Sequence, residues 1–350
     1  MTLSNPVDDS FRRQADACRD LGSAFNALVC DLLRERLEPV GAFGHRIRLW
    51  PGDPVADALA LRACGALHAL ARSGDCPALR SVYPSANGDS EAVWGGVQVA
   101  IHDHDGFLAA YLDSPPQTNE VSRSSSILGG CLTVAEASGM PIEVYEIGSS
   151  AGLNLGFDRW RYDFGGRSWG DEDAAVRIVS RWEGHAPLAA RLRVVHREGC
   201  DRNPLDPASA ADRERLLSYI WPDQAERLAR IEAALTVAVA AGTKVDKADA
   251  AGWVEARFTG PGTPHRVRLL LHTVVWQYLP AGTQVRIEAA MRAAGRAATA
   301  DRPVAWLRVE PDGVPGSAGI RLTLWPGGET RLLGRADYHG RWNRWHPNGC

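Results

Sequence analysis

From about residue 140 onward the chain alternates between strand-like apolar runs and stretches of helical periodicity. Gly139 and Pro141 break a helix, and Ile142-Glu-Val-Tyr-Glu-Ile147 then reads as a strand. Further strand candidates fall at 192–196, 244–247, 267–276 and 304–309. Helices are expected from about 151, at 208–219, 222–241 and 281–299. Residues 320–325 and 330–336, joined by Pro326-Gly-Gly, read as an antiparallel hairpin, and 160–185 as a hairpin or irregular insert. Strands that alternate with helices must cross over to pair in parallel. The pattern therefore predicts an α/β fold: a doubly wound, mostly parallel sheet covered by helices on both faces.

The first third reads differently. Phe11, Ala15, Cys18, Leu21, Phe25, Leu28 and Leu32 keep helical spacing over 9–39, and further helices are expected at 54–73, 91–112 and 119–138. Residues 75–95 read as loop. A chain of 350 residues has room for two domains, and the change of pattern divides it into an N-terminal helical cap, 1–114, and an α/β domain, 115–350. Hydrophobic residues at 45% and charged residues at 23% exclude a largely disordered chain. A net charge of −3 argues against a broad basic face, so nucleic acid is not the expected partner. The first twenty residues lack a signal-peptide core, and no run approaches the roughly 18 apolar residues of a membrane span. The seven cysteines are scattered without a CxxC pair, which points to a reducing cytoplasm. A homodimer is compatible with the sequence.

The richest chemical signal is Glu146-Ile-Gly148-Ser149-Ser150-Ala151-Gly152-Leu153-Asn154, where a strand gives way to an expected helix. One reading is a nucleotide-type loop. Gly148 and Gly152 let the backbone approach a ligand, and the helix start offers unpaired N–H groups. Glu146 can accept hydrogen bonds from an ammonium group or a ribose, with Ser150 and Asn154 completing the loop. A second reading is the G-x-S-x-G elbow of a serine hydrolase, with Ser150 as nucleophile and His339 or His272 as base. The helical first 140 residues supply no earlier strands for that fold. A third reading is a glycine-rich connection without a ligand.

The loop resembles the first motif of class I S-adenosylmethionine-dependent methyltransferases, with Ser150 at the place of the middle glycine. The resemblance implies a methyltransferase-like, Rossmann-like sheet closed by an antiparallel hairpin, with S-adenosylmethionine as cofactor. It implies that Asp201, with Glu198 second, holds the ribose, and that Asp249 and Ala250 meet the adenine edge. His272, Trp276, Gln277 and Tyr278, after the fourth strand, would then face donor and substrate. The plain alternatives are an Asx turn at Asp201, a helix cap at Asp249 and a core histidine at 272.

Longer strings are similar to a bacterial family described as a domain of unknown function. They are Pro115-Pro-Gln-Thr-Asn-Glu-Val121 with Arg123, the 146–154 loop, Asn203-Pro-Leu-Asp206, Tyr219-Ile-Trp-Pro-Asp-Gln224, Val274-Val-Trp-Gln-Tyr-Leu-Pro280, Trp325-Pro-Gly-Gly-Glu329 and His339-Gly340. The likeness spans about 115–345 and, more loosely, the N-terminal helices. It implies a methyltransferase-like fold and names no substrate. Gln117, Asn119, Glu120 and Arg123 place amides, a carboxylate and a guanidinium at one helix entry, suited to a polar or anionic small molecule. Thr118 or Asn119 as a helix cap is the structural alternative.

Ile101-His-Asp-His-Asp105 has an H-x-H spacing, but nothing at metal spacing accompanies it, so no metal is expected. The basic, aromatic 338–346 stretch reads as edge-strand packing rather than a nucleic-acid contact. Taken together, the residues lead us to expect a cytoplasmic methyltransferase acting on a small or medium polar molecule. Glu120, His272 and His339 are its candidate bases. A serine hydrolase and a non-catalytic ligand-binding protein are the alternatives.

Overall fold

The computed structural model describes residues 5–85, 88–184 and 189–346; Cys350 lies outside them. In chain order the helices are α1 (Pro6–Asp20), α2 (Ala24–Arg36), α3 (Gly41–Arg48), α4 (Leu59–Ser73), α5 (Pro77–Arg80), α6 (Ser90–Tyr111), α7 (Ser124–Ser138), α8 (Ala210–Ser218), α9 (Ala225–Ala240), α10 (Ala250–Phe258) and α11 (Ala281–Ala297). The strands are β1 (Ile142–Ile147), β2 (Arg161–Asp163), β3 (Ser168–Trp169), β4 (Arg177–Val179), β5 (Arg181–Glu183), β6 (Val194–Asp201), β7 (Val245–Lys247), β8 (Val267–Thr273), β9 (Val304–Pro311), β10 (Ala318–Trp325), β11 (Thr330–Ala336) and β12 (Trp342–Trp345). The chain forms two compact units, one from Met1–Thr118 with Ala210–Ala229, the other from Asn119–Ser209 with Arg230–Cys350.

The first unit is helical. Phe11, Ala15 and Cys18 of α1 meet Phe25, Val29 and Leu33 of α2 and the apolar face of α4 in one core. Tyr219 and Trp221 join that core, which is why 210–229 counts with this unit rather than with the sheet. The single helix expected over 9–39 is two helices. Ser23 stops it by turning its side chain to accept from Asn26 N, a cap that starts α2. The helix expected from 54 begins at Leu59, after a turn held by Asp53, whose Oδ1 accepts from Val55 N and Ala56 N. Helix α3 has no counterpart in the sequence reading. Its N-terminus is capped from a distance by Asp105, which accepts from Ala42 N at 2.6 Å and Phe43 N at 2.8 Å. That explains the last residue of the His-Asp-His-Asp run. Among the described residues no group of histidine, cysteine and carboxylate side chains is arranged to hold a metal ion.

The second unit is built on a nine-stranded sheet of order β5-β12-β11-β10-β9-β8-β1-β6-β7. Strands β7, β6, β1, β8 and β9 run parallel, and β10, β11 and β12 follow antiparallel. The expected hairpin is β10–β11, and β12 pairs beyond it with β11 and β5. The insert carries a separate three-stranded sheet, β3-β2-β4. Alternate residues face opposite sides. Tyr145, Ile147, Leu270, Val304 and Trp306 pack with Val254, Ile287 and Met291 of α10 and α11. On the other side Leu307 lies against Gly130 of α7. Numbered among the parallel strands alone, the order is third, second, first, fourth, fifth, and it reverses between β1 and β8. A reversal of this kind opens a crevice outside the carboxyl ends of the two strands.

Where an α-helix was expected after β1, the chain makes a 3₁₀ turn, Leu153–Arg159. Only these seven residues separate Gly152 from Trp160 and β2, too few to span the sheet and return. Among the described residues no helix is long and apolar enough to cross a membrane.

Candidate functional site

At the reversal point the loop after β1 is fastened to the end of β6. Gly148 N and Ser149 N both donate to Cys200 O, at 2.9 and 3.1 Å. Ser150 N donates to Asp201 Oδ2 at 3.0 Å, while Asp201 Oδ1 accepts from Asn203 N at 2.9 Å. Leu153 N donates to Asn119 Oδ1 at 3.2 Å. The amides of 148–150 are therefore already paired inside the protein, contrary to the expectation that the turn offers them to a ligand. Gly148 has φ +70°, and a Cβ there would stand 2.5 Å from Val275 Cγ2. The site therefore requires glycine for both conformation and space.

Three non-glycine residues of this edge also hold positive φ: Asn119 at 24°, Ser150 at 55° and Val274 at 52°. A β-branched residue in that region is a genuine outlier. Backbone strain of this kind costs on the order of 1–3 kcal/mol per residue and concentrates where a site fixes its geometry.

Glu146 ends the side-chain row of β1. Its carboxyl group is buried, and Oε2 has no hydrogen-bond partner among the described residues. Burial pushes its pKa up to about 8, against the pull of the Arg123 guanidinium and the Ser149 hydroxyl. Arg123 is anchored by donating from Nη1 to Thr273 O at 3.0 Å and to Thr273 Oγ1 at 3.1 Å. Asn154 is buried as well, and its Oδ1 also has no donor. Two acceptor oxygens are thus buried without donors in the segment 146–154.

The turn after β11 closes on the same region. A Cβ on Gly340 would come 2.1 Å from Ser122 O, so the His339-Gly340 turn rests directly on the backbone of the 3₁₀ turn Val121–Arg123. His339 is half-buried there. Glu120 is buried and caps that turn by accepting from Ser122 N at 3.0 Å.

The structure thus brings together Asn119, Glu120, Arg123, Glu146, Gly148, Ser150, Gly152, Asn154, Asp201 and the turn of His339. The other expected residues have different surroundings. His272 is fully buried on the opposite face of the sheet. Its Nδ1 lies 2.6 Å from Glu310 Oε1, its ring stacks on Trp276 at 5.0 Å, and its Nε2 is buried without a partner. Gln277 and Tyr278 are exposed, Tyr278 by 69%. Asp249 is exposed and caps α10 by accepting from Gly252 N at 3.1 Å, with Ala250 buried in the first turn. Gln117 belongs to the helical unit.

Sequence reasoning missed Glu310 and Thr273. Glu310 is buried at the end of β9 and accepts from Val275 N and Trp276 N at 3.2 and 3.3 Å, so it holds the strained segment after β8. An acid closing the apolar run 304–309 was the available signal.

No curated protein and no solved structure matches the chain. A family model described as "uncharacterized protein conserved in bacteria (DUF2332)" matches residues 8–345. With nearly the whole length covered, the chain belongs to this bacterial family.

Proposed function

We propose that the protein is an S-adenosylmethionine-dependent methyltransferase of Rossmann-like, methyltransferase-like architecture that acts on a small or medium polar substrate. The observation that carries this reading is the buried Glu146 carboxyl at the strand-order reversal, with Oε2 lacking a donor. A buried acceptor without a donor is costly, and a ligand that brings an ammonium or hydroxyl group removes the cost. The residues fit the cofactor in part. Glu146 suits its amino-acid end. Asp201 uses each oxygen once on the backbone, which leaves lone pairs for ribose hydroxyls. Asp249 and Ala250 would meet the adenine edge, next to Ala248, whose N–H donates to Asp201 O at 3.0 Å. The paired amides of 148–150 mean that side chains, rather than a backbone cradle, would do the holding.

When bound, S-adenosylmethionine supplies an electrophilic methyl group. The chain's own part is to position the acceptor, exclude water and move one proton. Arg123, fixed on Thr273, holds positive charge beside Glu146 and favours its ionised form. Glu120 and His339, on two turns in contact, are the candidates to receive the acceptor's proton. His272 acts at a distance: with Glu310 it positions 274–276, and Trp276, Gln277 and Tyr278 follow on that segment.

The test is calorimetric titration with S-adenosylmethionine and S-adenosylhomocysteine, in wild type, Glu146→Ala and Asp249→Ala. Repeating it near pH 7.5 in buffers of different ionisation enthalpy reads proton exchange. The expected result is weaker binding in both variants and net proton release in wild type, because a cationic ligand lowers the Glu146 pKa. Unchanged binding in both variants would refute the site.

One observation favours a second reading. Ser150 holds positive φ in G-x-S-x-G, the strained turn that a nucleophile elbow uses. Ser150→Gly separates the two. A methyltransferase keeps its cofactor affinity in that variant, whereas a serine hydrolase loses labelling by an active-site serine probe together with all turnover.

A further inference from the structure

We propose a second ligand site in the α/β unit, an oxyanion-binding cleft at the exposed edge of the sheet. Strand β7 is short and pairs with β6 only at Gly199, Cys200 and Asp201. Beside this edge opens a cleft of about 390 Å³, lined among others by Arg159, Arg197, Glu198, Lys244, Asp246 and Arg257. That volume lies in the range of small-molecule sites.

The charges decide what such a cleft takes. Arg257 is satisfied: it donates to Glu198 Oε2 and Asp246 Oδ2, both at 2.6 Å. Arg197 donates to both oxygens of Asp158, at 3.1 and 2.9 Å, but its Nε is buried without an acceptor. Arg159 and Lys244 make no hydrogen bond and no salt bridge within 4.0 Å among the described residues, and Arg159 shares the field of Asp158 with Arg197. Four cations therefore meet three carboxylates, Asp158, Glu198 and Asp246. The lining therefore carries an excess of positive charge, with Arg159 and Lys244 exposed at its rim. Burial pulls the Arg197 pKa down, and Arg159 adds like-charge repulsion that Asp158 opposes. Like charges gathered in a concave site are stabilised by an anion between them.

Planar guanidinium forks match the oxygens of a phosphoryl group in pairs, and a lysine adds a point charge. Glu198 and Asp246, also in the lining, repel a polyanion and accept hydrogen bonds from hydroxyl groups. The ligand class is thus a small hydroxylated monophosphate ester.

The test uses full-length protein, titrated at constant ionic strength with inorganic phosphate and with ribose 5-phosphate. Wild type is expected to bind both, ribose 5-phosphate more tightly. The double variant Arg159→Gln/Lys244→Gln is expected to bind each roughly tenfold more weakly. A control with the same loss of charge, Arg191→Gln/Arg331→Gln, is expected to bind as wild type does. Titrating the cleft variant with S-adenosylmethionine keeps this result separate from the site at Glu146, since that affinity is expected to stay unchanged. The proposal is overturned if neither probe binds wild type, if the cleft variant binds phosphate undiminished, or if the control loses as much.

Discussion

Glu146 shows how much a single buried group governs here. Its folded pKa of about 8 lies above the roughly 4.3 of an unfolded glutamate. Between those values the folded chain keeps a proton that the unfolded chain has released. The group's stabilising contribution is thus fully present below about pH 4.3 and is lost as pH rises through 8. Glu146→Gln keeps the shape and removes the titration. It should raise the unfolding temperature at pH 8.5, by the equivalent of a few kcal/mol in order of magnitude, and change it little at pH 4.5. Calorimetry at the two pH values checks this, and equal shifts at both would contradict it. At this scale the sequence was a good guide to which residues matter and a poor one to what they touch. Glu146, Asn119 and Asp201 all stand out as polar residues at element ends. That Asp201 spends both oxygens on Ser150 N and Asn203 N depends on how β6 lies beside β1.

Among the elements, the 219–224 string proved to be a fastening. Asp223 accepts from Ser23 Oγ at 2.5 Å and from Phe25 N at 3.0 Å, so it caps α2 from 200 residues away in the chain. Gln224 adds a bond to Leu21 O at 3.2 Å. Asp223→Ala should cost about 1–2 kcal/mol, in the range for losing a helix cap, with part recovered in Asp223→Asn. Urea unfolding of the three proteins measures it, and a cost below about 0.3 kcal/mol would show that the cap contributes nothing. Strands β1, β8 and β9 were legible because strands buried on both faces read as continuous apolar runs. The break between α1 and α2 was not, because the apolar spacing runs through it. The 3₁₀ turn after Gly152 was equally hidden, since residues 151–159 are compatible with an α-helix and only the early start of β2 cuts it short.

Across the whole molecule, pH should act on the two units with opposite sign. His68, in the helical unit, is buried with Nδ1 3.0 Å from Ser218 O, and burial lowers its pKa to about 4. The unfolded value is about 6.5, so its contribution is present above that pH and is lost as pH falls toward 4. Acidification from 6.5 should therefore lower the unfolding transition of the helical unit, while alkalinisation toward 8 lowers that of the α/β unit through Glu146. Scanning calorimetry with His68→Gln and Glu146→Gln assigns each limb. If neither substitution flattens its limb, these groups do not set the pH dependence.

The sequence alone determined the strand–helix alternation, the helical first third and the glycine loop after β1, because periodicity and turn chemistry are written in neighbouring residues. The tertiary structure decided the order of the nine strands, the closure of the loop amides on Cys200 and Asp201, the burial of His272 on the far face and the gathering of cations at the β6–β7 edge. Each of these depends on which distant segments share a surface, and no local pattern carries that choice.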